Sequence, residues 1–135
     1  KLTASDAAKD DGFGSSVAID GETIVVGAYA KNLGTGAAYV YRASDGGTTH
    51  DQVAKLTSPG AVGDAFGVSV AVDGAAVVVG ASQWLNGGSG SAYVYEEIPQ
   101  KTAASSQSAY NLTSDAARSL PAAATLLAAG AALAF

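Results

Sequence analysis

Two stretches of this chain are copies of one another, and no other feature narrows its fold as much. "KLTAS" at Lys1–Ser5 returns as "KLTSP" at Lys55–Pro59. "DGFGSSVAIDGETIVVGAYA" at Asp11–Ala30 returns as "DAFGVSVAVDGAAVVVGASQ" at Asp64–Gln83, and "GAAYVYR" at Gly36–Arg42 as "GSAYVYE" at Gly90–Glu96. Matched segments stand 53 or 54 residues apart, so the copies differ by about one loop residue. A period of this length means an array of like supersecondary units, each burying its faces against its neighbours.

Each copy reads as strands. Val17–Ile19 and Ile24–Val26 flank Asp20-Gly21, and Val68–Val72 and Val77–Val79 flank Asp73-Gly74. An Asp-Gly pair between β-branched runs predicts a tight hairpin with positive φ at its central residues. Ala37–Tyr41 and Ala92–Tyr95 predict a third strand, and Gln52–Thr57 a fourth. Four short antiparallel strands in about fifty residues match the size of a propeller blade. The competing architecture is an isolated two-hairpin sandwich.

Composition favours the blade. The chain of 135 residues is 48% hydrophobic but only 14% charged, against about 25% charged in an average protein. Runs such as "TIVVGA" and "AVVVGA" are nearly all apolar, as expected of strands covered on both faces. A lone blade would leave both faces wet. The absence of cysteine excludes a disulfide framework, Cys-ligated zinc and a thiol nucleophile. A net charge of −5 argues against a nucleic-acid partner.

"FGSSVAIDGETIVVGA" and "FGVSVAVDGAAVVVGA" resemble FG-GAP repeats, the blade units of integrin α-type β-propellers. With "KLT", "VAVDG", "VVVGA" and "AYVY" in this order, the chain is similar to the extracellular FG-GAP variant of bacteria and algae. The resemblance covers about residues 1–98. It implies an all-β fold of two four-stranded antiparallel blades, at 10–58 and 59–102, forming part of a propeller. Residues 1–9 would then be the outer strand of a preceding blade, and Ile98–Thr102 the last strand of the second. Proline at Pro99 suits only an edge. Further blades would come from missing chain or from another subunit. Integrin-type repeats often carry a calcium loop, Asp-x-Asp-x-Asp-Gly, which this sequence lacks. Asp20, Asp73 and the Asp10-Asp11 pair are therefore expected to serve turns, with no metal or other cofactor.

Catalytic patterns are scarce. His50 is expected in a solvated loop before the fourth strand, and no Gly-x-Ser-x-Gly elbow is present. Glu96 and Glu97 alternate faces on a strand and cannot share a proton task. The glycine pairs lack a following Lys-[Ser/Thr], so no phosphate cradle is implied. The chain itself is not expected to be an enzyme. The candidate contact residues are Tyr29 and Asn32 in one loop and Trp84 and Asn86 in its counterpart, because loops on rigid scaffolds carry recognition. Trp84 and Tyr29 could equally cap the blade edge. Phe13 and Phe66 are expected in inter-blade core.

After Gln100 small polar residues predict a linker or stalk over 103–119, holding the sequon Asn111-Leu112-Thr113 as a candidate glycosylation site. Leu120–Phe135 is sixteen uncharged residues, about 24 Å as a helix and short of the ~30 Å hydrocarbon core. A hydrophobic terminal tail behind a short spacer is the pattern of a GPI signal, with Ser114 as the candidate attachment residue. Ser106 is the alternative site. A transmembrane helix or a helix without targeting meaning are the rival readings of the tail. The expectation is an extracellular, membrane-anchored adhesion module with a protein or glycan ligand. The alternatives are the accessory propeller of a surface hydrolase whose catalytic domain lies upstream, and a structural surface-coat protein.

Overall fold

A computed structural model describes residues 1–96 and the backbone of 110–112. It shows two antiparallel β-meanders packed face to face. In the first, here called blade 1, β1 (Phe13–Asp20), β2 (Thr23–Ala28), β3 (Ala37–Ser44) and β4 (Thr49–Leu56) lie in sequence order. In blade 2, β5 (Phe66–Asp73), β6 (Ala76–Ala81) and β7 (Ser91–Tyr95) do the same. The chain is thus all-β, with four strands in one meander and three described strands in the other. The fourth strand expected at Ile98–Thr102 lies outside the described residues, as does the apolar tail 120–135.

Two details depart from the expected blades. Tyr110–Leu112, in the stretch read as linker, forms a short strand β8 that pairs parallel with β4, Lys55 opposite Asn111. The outer edge of β4 offers unpaired backbone groups, and an extended tripeptide satisfies some of them. Lys1–Thr3 forms no ladder, since no neighbouring sheet stands beside it among the described residues. It lies instead over blade 1, where Leu2 and Ala4 pack with Phe13, Val26, Tyr39 and Tyr41.

The hairpins are tight, but the turn sits one residue later than expected. Asp20 is the last strand residue, opposite Thr23, and the loop is Gly21-Glu22. Asp73 likewise faces Ala76 across Gly74-Ala75. Only the glycines take positive φ, 53° at Gly21 and 57° at Gly74, which one glycine per turn satisfies. Each first strand also carries the same bulge, between Phe13 and Ser16 and between Phe66 and Ser69. Gly14 and Gly67 supply it with φ of 89° and 88°.

One core lies between the blades. Val25, Ala38, Val40 and Leu56 of blade 1 meet Phe66, Val77, Val79 and Tyr95 of blade 2, all fully buried. The blades approach closely because Gly27 and Gly36 have no side chain: a Cβ on either would lie 2.0 Å from the carbonyl oxygen of Gly67 or Phe66. Ser16 Oγ donates to that Gly67 carbonyl (2.8 Å), and the Gly74 amide donates to the Asp20 carboxylate (2.6 Å). Phe66 is therefore inter-blade core as expected, while its counterpart Phe13 packs on the opposite face of blade 1 under the N-terminal segment.

Near-identical strands end in different surroundings. β2, TIVVGA, is covered on both faces, whereas β6, AVVVGA, alternates buried residues with half-buried ones and the exposed Val78. Their pattern is the same; blade 2 is covered on one side only among the described residues. The one-residue difference in repeat length is also localised. Eight residues separate Ala28 from Ala37 and nine separate Ala81 from Ser91, so the extra residue sits in the loop that carries Trp84.

Candidate functional site

Three connecting segments meet at one rim. The loop after β2 makes a tight turn at Lys31–Gly34, with positive φ at Asn32 (53°), Leu33 (59°) and Gly34 (84°). The inter-blade segment passes beneath it: the Ala65 amide donates to the Gly34 carbonyl (2.7 Å) and the Phe66 amide to that of Thr35 (3.1 Å). The loop after β6 joins through the Gln83 amide, which donates to the Asp64 carbonyl (3.0 Å). Leu85 then rests over both glycines of the junction. A Cβ at Gly34 would lie 3.3 Å from Leu85 Cδ1, and one at Gly63 3.1 Å from Leu85 Cβ.

The repeat builds the same brace beneath each loop. Asp11 Oδ2 accepts from the Ala8 amide (2.8 Å), and Asp64 Oδ2 from the Ala61 amide (2.9 Å). The second partner differs between the copies. Asp11 pairs with the buried Lys31 ammonium (2.8 Å), whereas Asp64 accepts from the Asn86 side-chain amide. The Lys31 hydrogen bond holds the Asp11 carboxyl below its ordinary range. Lys31 also donates to the Asp6 carbonyl (2.8 Å), tying the N-terminal segment to the rim.

Asp6 sits at the centre of a second polar group. Its carboxylate accepts from Lys55 Nζ (2.7 Å) and from the buried Tyr39 hydroxyl (2.7 Å). Partial burial pushes the Asp6 carboxyl up, but the Lys55 and Tyr39 hydrogen bonds outweigh it and hold it at about 2. Burial first, then the hydrogen bond to Asp6, raises the Tyr39 phenol well above its usual range. These contacts fasten the N-terminal segment to blade 1.

The four loop residues expected to make contacts fall on this rim, in different roles. Trp84 is 64% exposed and Asn32 is exposed. Tyr29 is half-buried, its ring against Gly12, where a Cβ would lie 3.1 Å from it. The exposed Asn86 holds its own loop, donating to Asp64 and accepting from the Gly88 amide (3.1 Å). Sequence reasoning missed Leu33 (83% exposed), Val62 and Leu85, all exposed on the three segments that meet at this rim. The signal was there: an apolar side chain within each glycine-rich loop.

Other candidates lie elsewhere. His50 is on β4 opposite Ala43, not in a loop, because β4 begins at Thr49. With Tyr41, Asp51, Gln52 and Lys1–Ser5 it lines a groove of about 230 Å³. Among the described residues no three His, Asp or Glu side chains converge as a metal site would need. Asn111 is placed by its backbone on β8. Ser114 and Ser106 lie outside the described residues.

A family model for the FG-GAP repeat matches residues 1–41 and 50–95, one match for each copy of the internal repeat. The chain belongs to the FG-GAP repeat family. Comparisons with curated proteins and with solved structures each found no match. FG-GAP repeats build β-propeller-type modules and are typical of extracellular proteins. No helix among the described residues is long and apolar enough to cross a membrane.

Proposed function

We propose that this FG-GAP chain is a non-enzymatic adhesion module whose contact surface is the loop rim, held at the cell surface by its C-terminal tail. One observation carries the reading: Leu33, Val62, Trp84 and Leu85 are exposed together on three segments that backbone hydrogen bonds lock to one another. Contiguous exposed apolar surface with a polar surround marks interaction sites. Tryptophan is the residue most enriched where a few contacts supply most of the binding energy. A rim fixed by two blades also loses little entropy on binding.

The ligand class is a protein surface or a glycan, since Trp84 can anchor the first and stack on the apolar face of the second. Immobilised protein should be screened against matrix proteins and a glycan array, beside Trp84→Ala and a Leu33→Ser/Leu85→Ser double variant. Binding by the wild type with loss in both variants supports the reading; binding that both variants retain overturns it. For the tether, phosphatidylinositol-specific phospholipase C should release the protein from cells, and retention on the membrane removes the GPI assignment to Ser114.

A further inference from the structure

We propose that the chain assembles head to tail with a second copy of itself, blade 2 of one molecule seating blade 1 of the next as blade 1 seats blade 2 within the chain. Both halves of the buried inter-blade interface recur, exposed, at the two ends of the unit.

On the seating side of the existing interface stand Ser16, Asp20, Val25 and Val40. Their counterparts one repeat later are Ser69, Asp73, Val78 and Val94. Val25 and Val40 are fully buried, while Val78 and Val94 are exposed on the outer face of blade 2. Gly27, which admits the Gly67 carbonyl, is matched by Gly80. A Cβ there would meet only Ser69 of the paired strand, with no backbone of another blade against it.

On the seated side stand Gly67, Val70, Val72 and Gly74, whose counterparts are Gly14, Val17, Ile19 and Gly21. Val70 and Val72 pack against the inter-blade core, whereas Val17 and Ile19 are 67% and 68% exposed. Gly67 is pressed against Ala37 and Ala28, but nothing lies within 4 Å of a Cβ placed on Gly14. The two polar contacts transfer as well. Ser69 Oγ is set to donate to the Gly14 carbonyl of the next copy, and that copy's Gly21 amide to the Asp73 carboxylate, as Ser16 and Asp20 do with Gly67 and Gly74.

The N-terminal segment belongs to this joint rather than blocking it. Its equivalent, Lys55–Thr57, leaves β4 at the existing interface, where Leu56 is buried and the Thr57 carbonyl accepts from Tyr95. Lys1–Thr3 already makes the matching contact, its Thr3 carbonyl accepting from Tyr41 (2.8 Å). Within the chain, Leu56 and Lys55 pair with Ala38 and Tyr39 of β3. In the assembly, Leu2 and Lys1 of the second copy would run beside Ala92 and Tyr93, along the edge of β7 that is unpaired among the described residues.

Such a joint is heterologous, so it continues into rings or filaments rather than stopping at a symmetric dimer. The test is sedimentation velocity on the full chain over a wide dilution series, with Val94→Lys blocking one end and Ile19→Lys the other by burying an unpaired charge. Both positions are exposed, and unfolding transitions matching the wild type establish that the variants fold; Gly80→Ala and Val17→Lys serve as second variants for the two ends. The wild type should grow beyond a dimer with concentration, each variant alone should lose association, and a mixture of the two should form dimers only. A wild type that stays monomeric overturns the proposal. So does association that survives both variants, or that Val94→Lys abolishes and Ile19→Lys spares, which is the mark of two like faces pairing.

Discussion

The Tyr95 hydroxyl donates to the Thr57 carbonyl oxygen, 3.0 Å away, and so fastens the last strand of blade 2 to the segment leaving blade 1. Tyr41 makes the same bond to Thr3 at 2.8 Å, 38 residues apart in both cases. Tyr95→Phe removes a buried donor while leaving the ring packed on Phe66, and should cost about 1 kcal/mol. Tyr41→Phe should cost a similar amount. Urea unfolding of the two variants and their double measures this, and well-separated sites should add within about 0.5 kcal/mol.

The same phenols limit the protein at high pH. Burial raises Tyr41 to about 12 and pushes Tyr39 and Tyr95 up further. A native value above the unfolded value near 10 means that the folded state keeps a proton the unfolded state gives up. The stability these groups contribute is complete below pH 10 and is lost as pH rises through 10 toward 12. Phenolate absorbance and circular dichroism, followed together, should show ionisation of these tyrosines coinciding with unfolding.

Gly27 and Gly80 occupy matched positions and should respond in opposite ways. Gly27→Ala drives a methyl group into the Gly67 carbonyl, a backbone contact that no rotamer relieves. It should cost about 3 kcal/mol, the upper part of the overpacking range. Gly80→Ala meets only the movable Ser69 hydroxyl and should change the stability of the single chain by less than about 1 kcal/mol. Thermal unfolding at low concentration separates the two.

Acid should loosen the N-terminal segment. Asp6 is held at about 2, below its ordinary 3.8, so the unfolded state binds more protons between these values. Its contribution is full above pH 4 and is lost as pH falls toward 2; Asp11, lowered by Lys31, acts with the same sign. Asp6→Asn should flatten this limb and lower stability at neutral pH. Urea midpoints measured from pH 5 down to pH 2 would show it. An unchanged slope in the variant would place the acid sensitivity elsewhere.

Periodicity made the blades legible because a strand needs only alternation and a hairpin only its glycine. Val25, Val40, Val77 and Val79 could be placed in strands from the pattern, and the matched copies announced a stack. The pattern could not say which faces would be covered, since TIVVGA and AVVVGA read alike and differ only in their neighbours. Nor could it find Lys31. A lysine in a polar loop reads as solvated, yet here two distant aspartates, Asp6 and Asp11, bury it. Such contacts are set by how the N-terminal segment lies over blade 1. Asp20 was misplaced for a related reason: turn chemistry explains an Asp-Gly pair locally, and its bond to Gly74 exists only once two blades are side by side.

The lone extra residue between Ala81 and Ser91 shows where this architecture absorbs change. Ladder pairs from Val77↔Tyr95 to Ala81↔Ser91 repeat those from Ile24↔Tyr41 to Ala28↔Ala37 with no slip, so the insertion leaves the meander untouched. Because loop-closure entropy grows only slowly with length, longer inserts there should cost little more. The turn around Trp84 is accordingly a grafting position: foreign recognition sequences could be spliced between Ser82 and Gly90 while the strands on either side keep their register.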